Sequence, residues 1–368
     1  MLEAHHHHQY QYRPLVICLL AGLSFITVCR LRMGTSVAAP DEAETWGGAM
    51  GRPEVVGPVV GPYQPLTASN VSTPMPFDVA EGGLGFADRS QLIDLGNFSF
   101  LMNDAAVNLC HPNATPPSLV TLVHSSPAHQ HHRDAIRQVW GGKQMNVVFL
   151  VGEPSAAAVD NVTQLQQQLE AENELHGDLV QGSFQDTYRN LTYKHVMGLK
   201  WIAYHCPRAR YVVKTDDDVF VNTRNLQRFL NDRLSPLGVR RLIMCQLWEG
   251  SLVKRSYRSK WRVSPEEYAG RTYPGYCPGW AVIYSPDVVQ LLYREAQRTP
   301  FFWIDDVHVT GTLVAAANLT HTPLGAEPYL WTDDRDVMRR HHNSFLFYLM
   351  DQQQFKDLHD VQHSLPFS

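Results

Sequence analysis

After Pro116 and Pro117 the chain alternates short, uninterrupted apolar runs with segments whose apolar residues recur every three to four positions. That alternation calls for strands joined by helical crossovers, the pattern of an α/β fold. LVTLVHS (119–125) and NVVFLVG (146–152) read as buried strands, and RDAIRQVWG (133–141) reads as a helix closed by Gly141 and Gly142. A further helix is expected over about Ala156 to Glu174. Tyr188, Thr192, Val196, Leu199, Ala203 and Cys206 then mark one face of a long helix that Pro207 ends. The next strand, Arg210 to Thr215, runs into Asp216, Asp217 and Asp218. Open α/β sheets hold their ligands at such C-terminal strand ends.

Adjacent carboxylates repel one another and raise one another's pKa, so a cation is their natural partner. A solvated acidic turn is the plain alternative, but Tyr211, Val212 and Val213 precede the triplet and Val219, Phe220 and Val221 follow it. A surface turn has no use for so many hydrophobes. An EF-hand calcium loop needs an oxygen ligand at its fifth position and glycine at its sixth, where this chain has Phe220 and Val221. A divalent Mn²⁺ or Mg²⁺ remains, held by one or two carboxylates with phosphate oxygens completing its shell.

The run Leu15–Cys29, between Arg13 and Arg30, enters a membrane. It is short for a span of about 20 residues and long for a signal-peptide core, with Val37-Ala38-Ala39 as a cleavage site, so both readings stand. Either one puts the main body in the secretory pathway, as do six sequons at Asn70, Asn97, Asn113, Asn161, Asn190 and Asn318. There Cys110, Cys206, Cys245 and Cys277 can form one or two disulfides, with the pairing open. From about Met33 to Phe77 closely spaced prolines with Gly, Ala and Ser make an extended spacer. A net charge of -5 and a pI near 6.4 give no basic footprint, so nucleic acid is not an expected partner.

KTDDDVFVN, with HRDAIRQVWG and DTYRNLTYKHVMGLKW upstream and YPGYCPGWAVIYS and WIDDVHVTG downstream, resembles in order the signatures of the inverting β1,3-glycosyltransferases of family 31, the β1,3-galactosyltransferase and β1,3-N-acetylglucosaminyltransferase group. The resemblance covers about residues 118 to 345. It implies a GT-A type nucleotide-diphospho-sugar transferase fold with a mixed central sheet flanked by helices, a UDP-sugar donor and a Mn²⁺ or Mg²⁺ ion. It also implies a type II Golgi membrane protein: cytosolic tail 1–14, signal-anchor 15–32, stem 33–115 and lumenal catalytic domain 116–368. Carried onto this sequence, Asp218 is the metal ligand, Asp216 faces the ribose and Asp217 completes the motif. A late histidine, His342 or else His341, finishes the metal shell. Asp305 stands for a family glutamate and Asp306 for the catalytic base, against the plain reading of an Asp-Asp helix cap.

Arg133 and Arg137, four apart on a helix, can reach a diphosphate or serve as ion pairs. Asp186 and Lys194 can contact the nucleotide or form a structural network. Trp248, Trp261 and Trp280 can stack on sugars or pack in the core. Trp280 also departs from the small residues usual in the family after the glycine, which bears on donor and acceptor preference. The chemistry needs one base for an acceptor hydroxyl and one electrophile for the departing diphosphate. The expected activity is transfer of a hexose, galactose first and GlcNAc as alternative, from UDP to the 3-hydroxyl of a terminal sugar on a glycoprotein or glycolipid. The rival of another class is a secreted carbohydrate-binding protein without turnover. A two-metal phosphoesterase would need a further His/Asp cluster near the triplet, which the sequence does not show.

Overall fold

The computed structural model describes residues 63–67, 90–111, 113–142, 145–156 and 161–324, with the backbone of Tyr329–Trp331 and Leu346–Tyr348. The expected tail and signal-anchor, most of the expected stem, Asn70, His341 and His342 lie outside the described residues. Among the described residues no helix is long and apolar enough to cross a membrane.

The strands are β1 (Gln64–Pro65), β2 (Phe100–Met102), β3 (Leu119–His124), β4 (Val147–Glu153), β5 (Leu179–Gln185), β6 (Tyr211–Asp216), β7 (Val219–Val221), β8 (Val239–Arg240), β9 (Ile243–Cys245), β10 (Val282–Tyr284), β11 (Thr322–Pro323), β12 (Tyr329–Trp331) and β13 (Leu346–Tyr348). The helices are α1 (Ala105–Leu109), α2 (Gln130–Val139), α3 (Val162–His176), α4 (Leu191–His205), α5 (Thr223–Phe229), α6 (Pro286–Ala296) and α7 (Leu313–Ala316), the last entered through a π-helical turn over Asp306–Thr312.

The main sheet has eight strands in the order β11-β9-β10-β6-β3-β4-β5-β2. Its centre, β6-β3-β4-β5, is parallel. β10 runs antiparallel to both β6 and β9, and β2 antiparallel to β5, so the sheet is mixed and flanked by helices, as expected of the GT-A type. Val120, Leu122, Val148, Leu150 and Val212 pack on one face with α4 and α6. Leu119, Val123, Phe149, Val151 and Val213 pack on the other with Ile136 and Trp140. A strand covered on both faces is largely apolar, which is why β3 and β4 are hydrophobic but for positions such as Thr121, whose hydroxyl donates to Met145 O at 2.9 Å. Gly198 lets α4 lie close to the sheet, since a Cβ there would come 2.5 Å from Leu150 Cδ1.

The helix expected over about 156–174 begins instead at Val162, because Asn161 Oδ1 accepts the Gln164 N–H at 3.0 Å and caps it. Such a cap stabilises a helix by about 1 kcal/mol. Packing also begins upstream of residue 116. Leu92, Ile93, Phe98 and Ala105 are buried in the core, and the Cys110–Cys206 disulfide ties this segment to the end of α4. The second disulfide, Cys245–Cys277, closes the long connection between β9 and β10. That connection carries a small cluster of its own, Val253, Val263 and Tyr273 against Trp303 and Val307.

Candidate active site

β3 and β6 end in register, His124 opposite Asp216, and the Asp217 N–H continues the pairing to His124 O at 3.1 Å. The chain then turns through Asp217 and Asp218 into β7, which leaves the main sheet and pairs antiparallel with β13. The aspartates therefore lie at the C-terminal strand ends, between two sheets. Apolar residues on both sides are needed because β6 and β7 are each buried in full apart from Asp216.

The three carboxylates have different neighbours. Asp216 Oδ1 accepts from Lys214 Nζ at 2.7 Å. Asp217, 7% exposed, turns toward α2, where its Oδ2 meets Ser125 Oγ at 2.7 Å and His129 Nδ1 at 2.9 Å. Burial pushes its carboxyl up, but these two partners outweigh that and hold it below the ordinary range. Asp218, half-buried, follows at the turn.

Asp305 and Asp306 come from a distant part of the sequence and reach the same place. The Gly279 N–H donates to Asp306 Oδ2 at 2.9 Å, and the Gly279 carbonyl accepts from Lys214 Nζ at 2.6 Å. A Cβ on Gly279 would lie 2.9 Å from Asp306 Oδ1, 2.9 Å from Lys214 Nζ and 3.2 Å from Asp216 Oδ2. One glycine hydrogen thus separates the first residue of the triplet from the expected base. Asp305 Oδ2 faces His195 Nδ1 at 3.3 Å, and His195 Nε2 faces Tyr284 Oη at 3.2 Å.

Charge sets these carboxyls apart. Burial pushes Asp306 well above the usual carboxylate range and Asp305 and Asp216 add repulsion, with Lys214 offsetting only part. Asp305 shares the burial, but its His195 hydrogen bond and Lys214 bring it below its ordinary value. Burial also raises Asp216, against the pull of Lys214. Lys214 itself is held above its ordinary value, since Asp216, Asp305 and Asp306 outweigh the cost of burying it. One ammonium among three carboxylates leaves an excess of negative charge and an oxygen-rich donor set. That chemistry suits a hard divalent ion such as Mn²⁺ or Mg²⁺.

Other expected contacts fall elsewhere. Arg133, wholly buried, pairs with Glu172 at 2.7 Å and also donates to Ser125 Oγ and Ser126 O. Arg137 pairs with Asp134, Glu172 and Asp178. Both guanidiniums are paired with carboxylates, the ion-pair alternative of the sequence reading. Lys194 Nζ lies 2.8 Å from Asp186 Oδ2, which accepts the Gly152 N–H at 2.7 Å, and the pair braces the ends of β3 and β4. Trp280 packs partly buried against the α2 side of the core and meets Trp248 edge-on at 5.5 Å. Trp261 is 45% exposed and Tyr188 49%, and the phenol of Tyr188 feels the charges of Asp305, Asp306 and Asp216. Trp261 lies beside Tyr188.

Lys214, Gly279 and His195 are the site residues that the sequence reading missed. Lys214 stands in KTDDD, Gly279 in CPGW and His195 in YKHVMG, so all three were within the motifs, but nothing in their spacing shows that they meet.

The model of the family described as galactosyltransferase matches residues 131–325. The chain belongs to the galactosyltransferase family. Within it, this galactosyltransferase-family chain is similar to the human acetylgalactosaminyl-O-glycosyl-glycoprotein beta-1,3-N-acetylglucosaminyltransferase, 37% identical over 57% of this chain and 56% of that protein. The chain thus matches little more than half the length of that relative. It is 35% identical to human beta-1,3-galactosyltransferase 5 over 58% of this chain and 68% of that protein. Among solved structures it has a loose likeness to the WbbM bifunctional glycosyltransferase, with 13% identity and a TM-score of 0.37 over 70% of this chain and 51% of that one.

Proposed function

We propose that this chain is an inverting β1,3-hexosyltransferase that moves a sugar from UDP to the 3-hydroxyl of a terminal sugar on a glycoprotein or glycolipid. Galactose is the donor sugar in this reading. The single observation that supports it most is the meeting of Asp306 and Asp216 across Gly279, which sets a basic carboxylate beside a cation-seeking triplet. The names of the relatives supply the β1,3 linkage.

Asp306 Oδ2 is held by the Gly279 N–H, while Oδ1 takes no hydrogen bond among the described residues. Oδ1 accepts the proton of the acceptor hydroxyl. The acceptor oxygen bonds to the anomeric carbon as the bond from that carbon to the β-phosphate oxygen breaks, and the electron pair leaves with UDP. Attack comes from the face opposite UDP, so an α-linked donor gives a β-linked product. The raised pKa of Asp306 makes it a stronger base than an ordinary carboxylate. Asp218, with the expected His342, would hold a Mn²⁺ or Mg²⁺ whose chemistry is to neutralise charge on the diphosphate, with Asp216 facing the ribose. Trp261 and Tyr188 offer ring faces to the acceptor sugar.

In the same reading, 15–32 anchors the chain in the Golgi membrane with the bulk in the lumen. The test is UDP release by the chain with Mn²⁺, a panel of UDP-sugars and simple glycosides, followed by NMR of the product. UDP-galactose turnover to a β1,3 product supports the proposal; UDP-GlcNAc turnover moves the donor within the same chemistry. Binding of glycosides with no UDP release under any donor would replace an enzyme with a binding protein.

A further inference from the structure

We propose that His129, His132 and Asp217 form a second divalent-cation site, for a borderline-soft ion such as Zn²⁺, distinct from the oxygen-donor site of the sugar nucleotide. His129 precedes α2 and His132 lies one turn along, so both rings face the same way. They lie nearly parallel, 17° apart with centroids at 4.6 Å. His129 Nδ1 stands 2.9 Å from Asp217 Oδ2, and His132 Nδ1 stands 3.1 Å from the Asp217 backbone carbonyl oxygen and 3.9 Å from Asp217 Oδ1. One donor atom from each residue falls within 4.8 Å of the others. A tetrahedral zinc ion, about 2.0–2.2 Å from N and O ligands, keeps its donors about 3.4 Å apart. Small side-chain adjustments close that difference.

The donor set chooses the ion. Two imidazole nitrogens with one carboxylate favour zinc-like ions over Mn²⁺ or Mg²⁺, which prefer oxygen. The site is also open, since the His129 and His132 side chains are 42% and 18% exposed and three protein ligands leave a fourth position for water. Arg133 and Lys194 oppose positive charge at His129, but each is itself paired with a carboxylate, Arg133 with Glu172 and Lys194 with Asp186.

Occupancy has a consequence for the donor site. Asp217 is the middle residue of the triplet, and its carboxylate is shared with Ser125 Oγ. An ion that takes Asp217 Oδ2 competes with its hydrogen bond from Ser125 Oγ, which ties the turn carrying Asp216 and Asp218 to the end of β3, so zinc opposes donor binding. This inhibitory effect rests on the proposed donor site, whereas the cation site itself does not.

The test titrates the full chain with Co²⁺ alone, following the visible absorption of a four-coordinate ion, in wild type, His129→Gln, His132→Gln and Asp218→Asn, each checked for folding by circular dichroism. Wild type and Asp218→Asn are expected to show the same absorption of a four-coordinate Co²⁺. The two histidine variants lose more than about tenfold in affinity, since loss of mere outer-shell partners already costs 10–100-fold. Equal binding by the histidine variants, or loss of the spectrum in Asp218→Asn alone, overturns the proposal. A second arm measures Mn²⁺-supported UDP binding against added Zn²⁺. Inhibition in wild type that His132→Gln relieves supports the coupling, and equal inhibition in both overturns it. Absence of UDP binding without zinc counts against the donor-site reading, while the Co²⁺ result is unaffected.

Discussion

Asp306 hangs from Gly279: the glycine N–H donates to Asp306 Oδ2 at 2.9 Å, and the glycine carbonyl receives Lys214 Nζ at 2.6 Å. This peptide unit therefore positions both the proposed base and the ammonium that balances the acidic triplet. Its neighbours leave no room for a side chain.

Gly279→Ala sets a methyl 2.9 Å from both Asp306 Oδ1 and Lys214 Nζ, so those groups must move. Displacing a catalytic group by about 1 Å can cost about 10²-fold in rate. The expected result is a kcat loss of that order with UDP affinity much less changed, measured by steady-state kinetics beside UDP titration calorimetry. Wild-type kcat in this variant would mean that the base does not sit on Gly279.

Asp306 gives opposite effects on rate and stability. Its folded-state pKa is raised, so the native state holds this proton more tightly than the unfolded chain does. Its contribution is fully present at low pH and is lost as pH rises through the folded pKa. Asp306→Asn removes the penalty, so at neutral pH this variant is expected to unfold at higher urea than wild type while transferring no sugar. The rate needs the ionised form, so wild-type kcat/KM falls, as pH is lowered, at a pH above the ordinary carboxylate range. A lower urea midpoint for Asp306→Asn at neutral pH would contradict the account.

Arg133 is a structural cation. Breaking a wholly buried pair by removing one partner costs about 3–5 kcal/mol, because the other charge is left uncompensated. Arg137 still meets Glu172 at 2.7 Å, so Arg133→Met is expected to lose only part of that range by urea denaturation, and the double variant Arg133→Met/Glu172→Leu to recover some of it. Its donor KM stays within about twofold at temperatures where it is folded. A large rise in donor KM without loss of stability would restore the diphosphate role.

Trp261 is expected to act on the acceptor alone. Loss of one stacked ring face is worth about 1 kcal/mol, or roughly fivefold. Trp261→Ala should raise acceptor KM by that factor, leaving donor KM and the urea midpoint unchanged, because the ring is 45% exposed. A shift confined to donor KM would move this tryptophan to the nucleotide.

Much of the fold was legible because parallel strands buried on both faces are mostly apolar. LVTLVHS and NVVFLVG became β3 and β4, and the period through Tyr188 and Cys206 became a short 3₁₀ turn leading into α4. β5 was not read as a strand, because Gln181, Gly182 and Ser183 interrupt its apolar run. Gln181 is nonetheless buried, its amide donating to Gly152 O at 3.0 Å. β2 was hidden in the segment that the resemblance assigned to the stem, since an edge strand of three residues carries no period of its own. The disulfides could not be paired from spacing, as pairing follows the approach of Cα atoms and not their order.

Residue type and local pattern by themselves determined the alternating α/β architecture, the acidic triplet at a strand end and a second acidic pair at 305–306, because each of these is written within a dozen neighbouring positions. Only the tertiary structure decided how they are used. It folded Gly279 between Asp216 and Asp306, gave Asp217 to Ser125 and the α2 histidines, and spent Arg133 on Glu172. The physical reason is that a carboxylate's role is set by which charges and dipoles lie within a few ångströms of it, and here those groups come from positions scattered along the chain.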